Sequence, residues 1–200
     1  DYLKLKKDVG LLPARISFMI ATNGALVDDE IVALCKEHRV MVTVGLDGPK
    51  ASNDALRVDS EGNGTFDRIV ATIKLLVKGG VKTFASTSIT PFNIDQVTEY
   101  ADFFKELGVE KFGFNFLKGR LLLELVGKDN LDSYYRRASQ SVIEQARRQG
   151  NPGFEYQMEK KQVAFDQRDF FPVDCTCYGN QLVIQPDGQI SNCPFYKAWL

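Results

Sequence analysis

The stretch Val40-Met41-Val42-Thr43-Val44-Gly45-Leu46-Asp47-Gly48-Pro49 decides the fold. Its apolar and β-branched start reads as a strand. Asp47-Gly48-Pro49 is turn chemistry and ends it. The same order recurs on both sides. Ile16-Ser17-Phe18-Met19-Ile20-Ala21 reads as a buried strand, ended by Thr22-Asn23-Gly24. A helix then runs from Asp28-Asp29-Glu30 to about His38, with acidic residues at its positive N-terminal end. Downstream, Thr65-Phe66-Asp67 opens a helix with Ile69, Ile73, Leu76 and Val77 at helical spacing, and Gly79-Gly80 stops it. Val81 to Ile89 is a third strand, followed by Thr90-Pro91. A helix is expected from about Asp95 to Leu107, with Val97, Tyr100, Ala101, Phe104 and Leu107 facing inward. Lys111 to Leu117 is the fourth strand.

Strands alternating with helices imply βαβ units and a parallel sheet. The class is α/β, either a barrel or an open doubly wound sheet. In both, chemistry gathers where strands end and loops begin. Those ends are Thr22-Asn23-Gly24, Gly45-Leu46-Asp47-Gly48-Pro49, Thr90-Pro91 and Asn115-Phe116-Leu117.

After Leu117 the rhythm changes. Leu121 to Val126 is apolar apart from Glu124, and periodicity does not assign it. A long amphipathic helix is expected from about Leu131 to Gln149, stopped by Gly150 and Pro152. The first domain is therefore drawn as 1–150. Residues 151–174 read as a linker, with a short extended segment near Val163-Ala164-Phe165. From 175 the tail reads as a hairpin: Gln181 to Gln185, a Pro186-Asp187-Gly188-Gln189 turn, then Ile190 to Cys193.

The chain has 200 residues, 44% hydrophobic and 26% charged, an ordinary globular composition. The formal net charge of −1 leaves no electrostatic footprint for nucleic acid or an anionic membrane. No apolar run approaches the roughly 18 residues that span a bilayer. The start, Asp1-Tyr2-Leu3-Lys4, is polar and lacks an initiating Met, which suggests a processed or excised piece.

Three of the four cysteines, Cys175, Cys177 and Cys193, lie near the C-terminal end. A secreted disulfide framework would spread them more evenly. Cys35 falls mid-helix and reads as a small buried apolar residue. A cytoplasmic protein is expected. In the tail the hairpin would fold Cys193 back toward Cys177, and thiolates suit zinc or an iron–sulfur cluster. Chance thiols in a loop and a zinc knuckle stay open beside the cluster. Further upstream, Arg57 can clamp a carboxylate through two parallel N–H bonds. Asp47 can hold a ribose hydroxyl or cap the next loop, and a capping Asp with a solvated Arg is the plainer alternative. Glu61-Gly62-Asn63-Gly64-Thr65 lacks a Walker lysine, so a helix-entry turn explains it better than a phosphate cradle. His38, the single His, stands one helical turn from Cys35, and that pair is a poor nucleophile because Cys35 should face inward.

Taken together, Thr22-Asn23-Gly24, Leu46-Asp47-Gly48-Pro49, Asn53-Asp54 with Arg57, Gly62 to Asp67, and Cys177-x10-Gly188-x4-Cys193 resemble a radical S-adenosylmethionine (SAM) enzyme with a SPASM auxiliary-cluster domain. That family includes anaerobic sulfatase maturases and peptide-modifying enzymes. The resemblance implies a partial (β/α) barrel of about four βα units, with SAM at the C-terminal ends of the strands. It assigns Asn23, Gly45, Asp47, Arg57, Asn115 and Leu117 to SAM. Arg57 matches the arginine on the SAM carboxylate, and Leu117 an apolar residue near the adenine. Gly45 stands where relatives often carry a Ser, so that hydroxyl contact is lost. Cys177 and Cys193, with Cys175 as a third, match ligands of an auxiliary 4Fe-4S cluster.

The departures matter too. Pro194 stands where sulfatase maturases carry an Asp base, which argues against sulfatase maturation. The C-x3-C-x2-C of the catalytic cluster and a Gly-Gly-Glu-type stretch are absent, as are the later SPASM cysteines. The resemblance therefore implies the middle of a longer oxidoreductase, inactive as it stands, with 175–200 the start of a truncated SPASM domain. The whole enzyme would cleave SAM to a 5′-deoxyadenosyl radical and modify a peptide or protein, with no nucleic acid or membrane involved. The sheet should be open at the edge where two barrel strands are missing, and that edge invites a dimer. The rival is a non-enzymatic α/β binding module with a zinc-bound cysteine tail.

Overall fold

The computed structural model describes residues 8–10, 17–149, 155–156, 159, 166, 183–184 and 190–191. The chain divides into two compact units, Asp1–Lys160 and Lys161–Leu200. The first holds the strands β1 (Met19–Thr22), β2 (Met41–Gly45), β3 (Thr83–Ile89) and β4 (Lys111–Phe116). Between them lie α1 (Asp29–Glu37), α2 (Lys50–Asp54), α3 (Phe66–Lys78) and α4 (Tyr100–Glu106), and α5 (Gly119–Val126) and α6 (Leu131–Gln149) follow β4. In the second unit, β5 (Val183–Ile184) pairs antiparallel with β6 (Ile190–Ser191), as the hairpin reading expects.

The sheet order is β1-β2-β3-β4, and every neighbouring pair is parallel. Right-handed crossovers that always step the same way leave their helices on one face. The order never reverses, so the sheet has no doubly wound switch point. Of the two architectures open to the sequence, this is the barrel type, and it is not closed. On the β4 side, Phe112 forms a parallel bridge with Glu155, and the Phe114 N–H donates to Glu155 Oε1 at 3.1 Å. At the other edge β1, expected from sequence to be buried, is instead largely exposed, with Met19 61% and Ile20 47% exposed, because no further strand pairs with it among the described residues.

Side chains alternate across the strands. Val42, Val44, Ala85, Thr87, Ile89, Phe112 and Phe114 are buried on the helix side. They share one core with Val32 and Cys35 of α1, Ile69, Ile73 and Leu76 of α3, and Tyr100 and Phe104 of α4. Phe104 stacks on Phe112 at 5.1 Å and meets Tyr100 edge-on at 6.0 Å. Cys35 is 3% exposed, and burial pushes its thiol pKa up. A protonated core thiol is inert, as the sequence suggests. Gly45, Ser86 and Ser88 face the other way and are only half-buried. That second face belongs to the candidate site, and the Tyr156 ring lies over it at Gly113.

Two elements differ from expectation. The helix before β4 starts as a 3-10 turn over Ile94–Glu99 and becomes α-helical at Tyr100. Thr90 and Asn93 explain the delay. Asn93 Oδ1 accepts the Thr90 N–H at 2.8 Å, and Thr90 Oγ1 accepts the Phe92 N–H at 3.2 Å. Such local bonds compete with the helical ladder. The unassigned apolar run is helical in α5, with Leu122 buried and Leu121 and Leu123 exposed. The long helix α6 ties the strand ends together through Tyr134. Its hydroxyl donates to the Ile89 carbonyl at 2.5 Å and accepts the Leu117 N–H at 2.9 Å. Burial pushes this phenol up to about 12, so it stays a donor at physiological pH.

Gly48, just past β2, is fixed by close approach. Its φ is +96°, and an added Cβ would sit 2.1 Å from the Tyr100 hydroxyl oxygen. Gly62 has φ +86° but open space around it. Gly48→Ala should therefore lower unfolding free energy by about 2–4 kcal/mol, combining left-handed strain with overpacking. Gly62→Ala should lower it by only about 1 kcal/mol. Urea midpoints of the two variants check this, and equal midpoints would contradict the packing argument.

Candidate functional site

The site is built around Asp47, which is 4% exposed. A buried carboxylate needs a partner, and Arg57 supplies it. Arg57 Nε donates to Asp47 Oδ2 at 2.6 Å, and Nη2 donates to Oδ1 at 3.1 Å. The Ser88 N–H adds a third bond to Oδ1 at 2.7 Å. The main chain of Asp47 is held as firmly. Its N–H donates to Asn53 Oδ1 at 3.1 Å, and its carbonyl accepts from Asn93 Nδ2 and the Tyr100 hydroxyl, each at 3.1 Å.

The stretch from Asn53 to Phe66 is the frame that aims Arg57. Asn53 is fully buried, and its Nδ2 donates to Asp54 Oδ1 at 3.0 Å. Asp54 Oδ1 accepts the Phe66 N–H at 2.9 Å, at the start of α3. Gly64 is bare because Asp54 fills the space where its Cβ would be, 2.2 Å from the carboxyl carbon. Thr65 Oγ1 donates to the Arg57 carbonyl at 3.0 Å, and the Thr65 N–H donates to the same carbonyl at 3.1 Å. The loop between them closes on Asp59, whose Oδ1 accepts the N–H groups of Glu61 and Asn63, each at 2.9 Å. These backbone donors hold the Asp59 carboxyl below its usual pKa. Gly62-Asn63-Gly64 is thus a helix-entry turn.

The guanidinium of Arg57 lies on the second face of the sheet. An ideal Cβ on Gly45 would be 3.0 Å from Nη1 and 3.3 Å from Cζ. The strand register aligns Gly45 with Ser86 of β3, and Ser86 with Gly113 of β4. Gly113 is bare for a matching reason, because the Tyr156 ring comes within 2.0 Å of its ideal Cβ position. One row at the strand ends therefore runs guanidinium over glycine, serine, aromatic ring over glycine. Arg57 uses its Nε–Nη2 edge on Asp47, and its Nη1 lies over Gly45 at the end of β2. The Nη1–Nη2 edge of a guanidinium can take one more carboxylate.

The remaining expected residues fall at the same sheet edge with different partners. Asn23 is exposed at the end of β1, and its Oδ1 accepts the Ala25 N–H at 3.1 Å, an Asx turn. Asn115 is exposed near the end of β4 and donates to Ser86 Oγ at 2.9 Å. Leu117 is half-buried against the core, its N–H on the Tyr134 hydroxyl. Cys175, Cys177, Cys193 and Pro194 lie outside the described residues, as do the turn at Pro186-Asp187-Gly188 and the segment at Val163-Ala164-Phe165. Among the described residues, no three His, Cys, Asp or Glu side chains gather as a metal site. Ser86, Ser88 and Asn93 were not singled out from sequence. Their signal was the period-two alternation of Thr83-Phe84-Ala85-Ser86-Thr87-Ser88-Ile89, which puts both serines on one face.

The profile of the Radical SAM superfamily matches residues 1–116. The serine-type anaerobic sulfatase-maturating enzyme of Bacteroides thetaiotaomicron is 30% identical over 109 residues, 54% of this chain and 26% of its own. The subtilosin biosynthesis protein AlbA of Bacillus subtilis is 22% identical over 181 residues, 88% of this chain and 38% of its own. The structure of native anSMEcpe with bound AdoMet and Kp18Cys peptide superposes with a TM-score of 0.73 at 22% identity, covering 97% of this chain and 55% of that one. The chain thus spans well under half the length of these curated relatives. More than half of its sequence matches one profile, and its open parallel sheet has the same fold as the solved structure, so the chain belongs to the radical SAM superfamily.

Proposed function

We propose that the strand-end row binds SAM, with the amino-acid carboxylate on the free edge of Arg57. The observation that supports this most is the Arg57 guanidinium, locked by Asp47 and laid flat over a side-chain-free Gly45. The residues fit the ligand. A cation with an open fork meets a carboxylate, and the bare Gly45 leaves room for the guanidinium under it. Asp47 acts as a positioning residue, since both of its oxygens are taken by the chain itself. Asn23, Asn115 and Leu117 complete the proposed SAM-facing set at the ends of β1 and β4.

Radical SAM proteins use SAM and 4Fe-4S clusters, which supply one-electron cleavage of SAM and hydrogen abstraction from the substrate. We propose that the whole protein is a peptide-modifying oxidoreductase of this kind, with Cys175, Cys177 and Cys193 as auxiliary-cluster ligands. AlbA, a bacteriocin biosynthesis protein, and the peptide in the anSMEcpe structure support a peptide or protein substrate. Pro194, in place of the Asp base, favours a substrate other than a sulfatase. The zinc-bound binding module is not favoured by the family match. Among the described residues, no helix is long and apolar enough to cross a membrane. A reducing cytoplasm suits thiolate ligands and is the proposed compartment.

Three variants test the SAM site. Arg57→Lys keeps the charge but loses the fork, and SAM affinity should fall about 10-fold or more. Arg57→Ala also leaves Asp47 buried and unpaired, so it should lower stability by about 3–5 kcal/mol as well. Gly45→Ala places a methyl 3.0 Å from Nη1. It should shift the guanidinium and weaken SAM binding about 5-fold, corresponding to roughly 1 kcal/mol. Isothermal titration of the full-length, cluster-reconstituted protein reads the affinities. Unchanged affinity in Arg57→Lys and Gly45→Ala would remove the assignment.

A further inference from the structure

We infer that the Ser86 hydroxyl is a further binding group, donating its proton to the SAM carboxylate beside Arg57. This rests on the SAM reading above, which includes Ser86 in the strand-end row, and gives that residue a stated role. The register pairs Ser86 with Gly45, so the two positions are neighbours across adjacent strands, about 4.8 Å apart. Gly45 has no side chain, and the guanidinium covers it. Gly113, the neighbour on the other side, has none either, and the Tyr156 ring covers it. Ser86 is therefore the side chain that stands between a guanidinium and an aromatic wall.

The hydrogen bonding of Ser86 fixes what it can do. Asn115 Nδ2 donates to Ser86 Oγ at 2.9 Å. A hydroxyl has one proton and two lone pairs. The amide N–H occupies a lone pair and leaves the proton to point elsewhere. Among the described residues nothing accepts that proton, and Ser86 is half-buried rather than freely solvated. A hydroxyl donor one strand away from the guanidinium over Gly45 adds an O–H to its N–H groups, a set that suits the two oxygens of a carboxylate.

The test compares SAM with decarboxylated SAM on the full-length, cluster-reconstituted protein by isothermal titration. Ser86→Ala removes one oxygen from a half-buried site, and unchanged circular dichroism and melting would confirm that the variant is folded. It should weaken SAM about 10-fold, as expected for a bond to a charged group, and leave decarboxylated SAM unchanged. Equal weakening of both ligands, or no weakening of SAM, would overturn the role of Ser86. Arg57→Lys separates that failure from failure of the SAM site. If it weakens SAM while Ser86→Ala does not, the site stands without the serine. If the parent protein does not prefer SAM over decarboxylated SAM, the carboxylate reading falls with it.

Discussion

A charged carboxylate, Asp47, sits inside the protein at the end of β2, and the rest of the site depends on satisfying it. A lone buried charge is untenable, so the chain brings Arg57 to it as a two-bond fork and adds the Ser88 N–H. Arg57 can reach because Asn53, Asp54 and Thr65 lock the intervening loop. Asn93 and Tyr100 hold the Asp47 carbonyl from the next crossover. Strand end, two loops and a helix are thus joined at one residue. Burial raises the Tyr100 phenol pKa, which keeps that hydroxyl a donor.

Small residues on the second face of the sheet follow from what covers them. Gly45 cannot bear a Cβ without moving the guanidinium, and Gly113 cannot bear one without expelling the Tyr156 ring. On the opposite face the same strands carry Val44, Phe112 and Phe114 into the core. One alternation therefore serves the core on one side and the candidate site on the other. The helices stay on the first side because every crossover steps in the same direction.

Much of this was legible in sequence because it is periodic. The four strands and the helices α1, α3 and α6 follow from apolar spacing and from Gly stops. The choice between barrel and doubly wound sheet was not legible, since strand order is a long-range property that local pattern does not encode. Leu121 to Val126 resisted assignment because four leucines and a valine around the single Glu124 show no clear period. The 3-10 start at Ile94 depends on side-chain bonds made by Thr90 and Asn93. Asp47 and Arg57 were each visible as candidates, Asp47 for a ribose hydroxyl or a loop cap and Arg57 as a carboxylate clamp, but the sequence did not show that they pair with each other. Ser86 escaped notice because a small polar residue in a strand reads as a filler until its register neighbours are known to be bare.

Arginine is suited to this position by its shape. A lysine could neutralise Asp47, but its single ammonium would then be spent. A guanidinium has more than one edge, so the protein can hold it by Nε and Nη2 and still offer Nη1 and Nη2 outward. Holding it that way removes much of the side-chain entropy before any ligand arrives. Gly45 beneath and Ser86 beside it then set where that open edge points. The bonds that fold the Asp47 loop are the same ones that hold the Arg57 guanidinium in place, so a change that loosens one loosens the other.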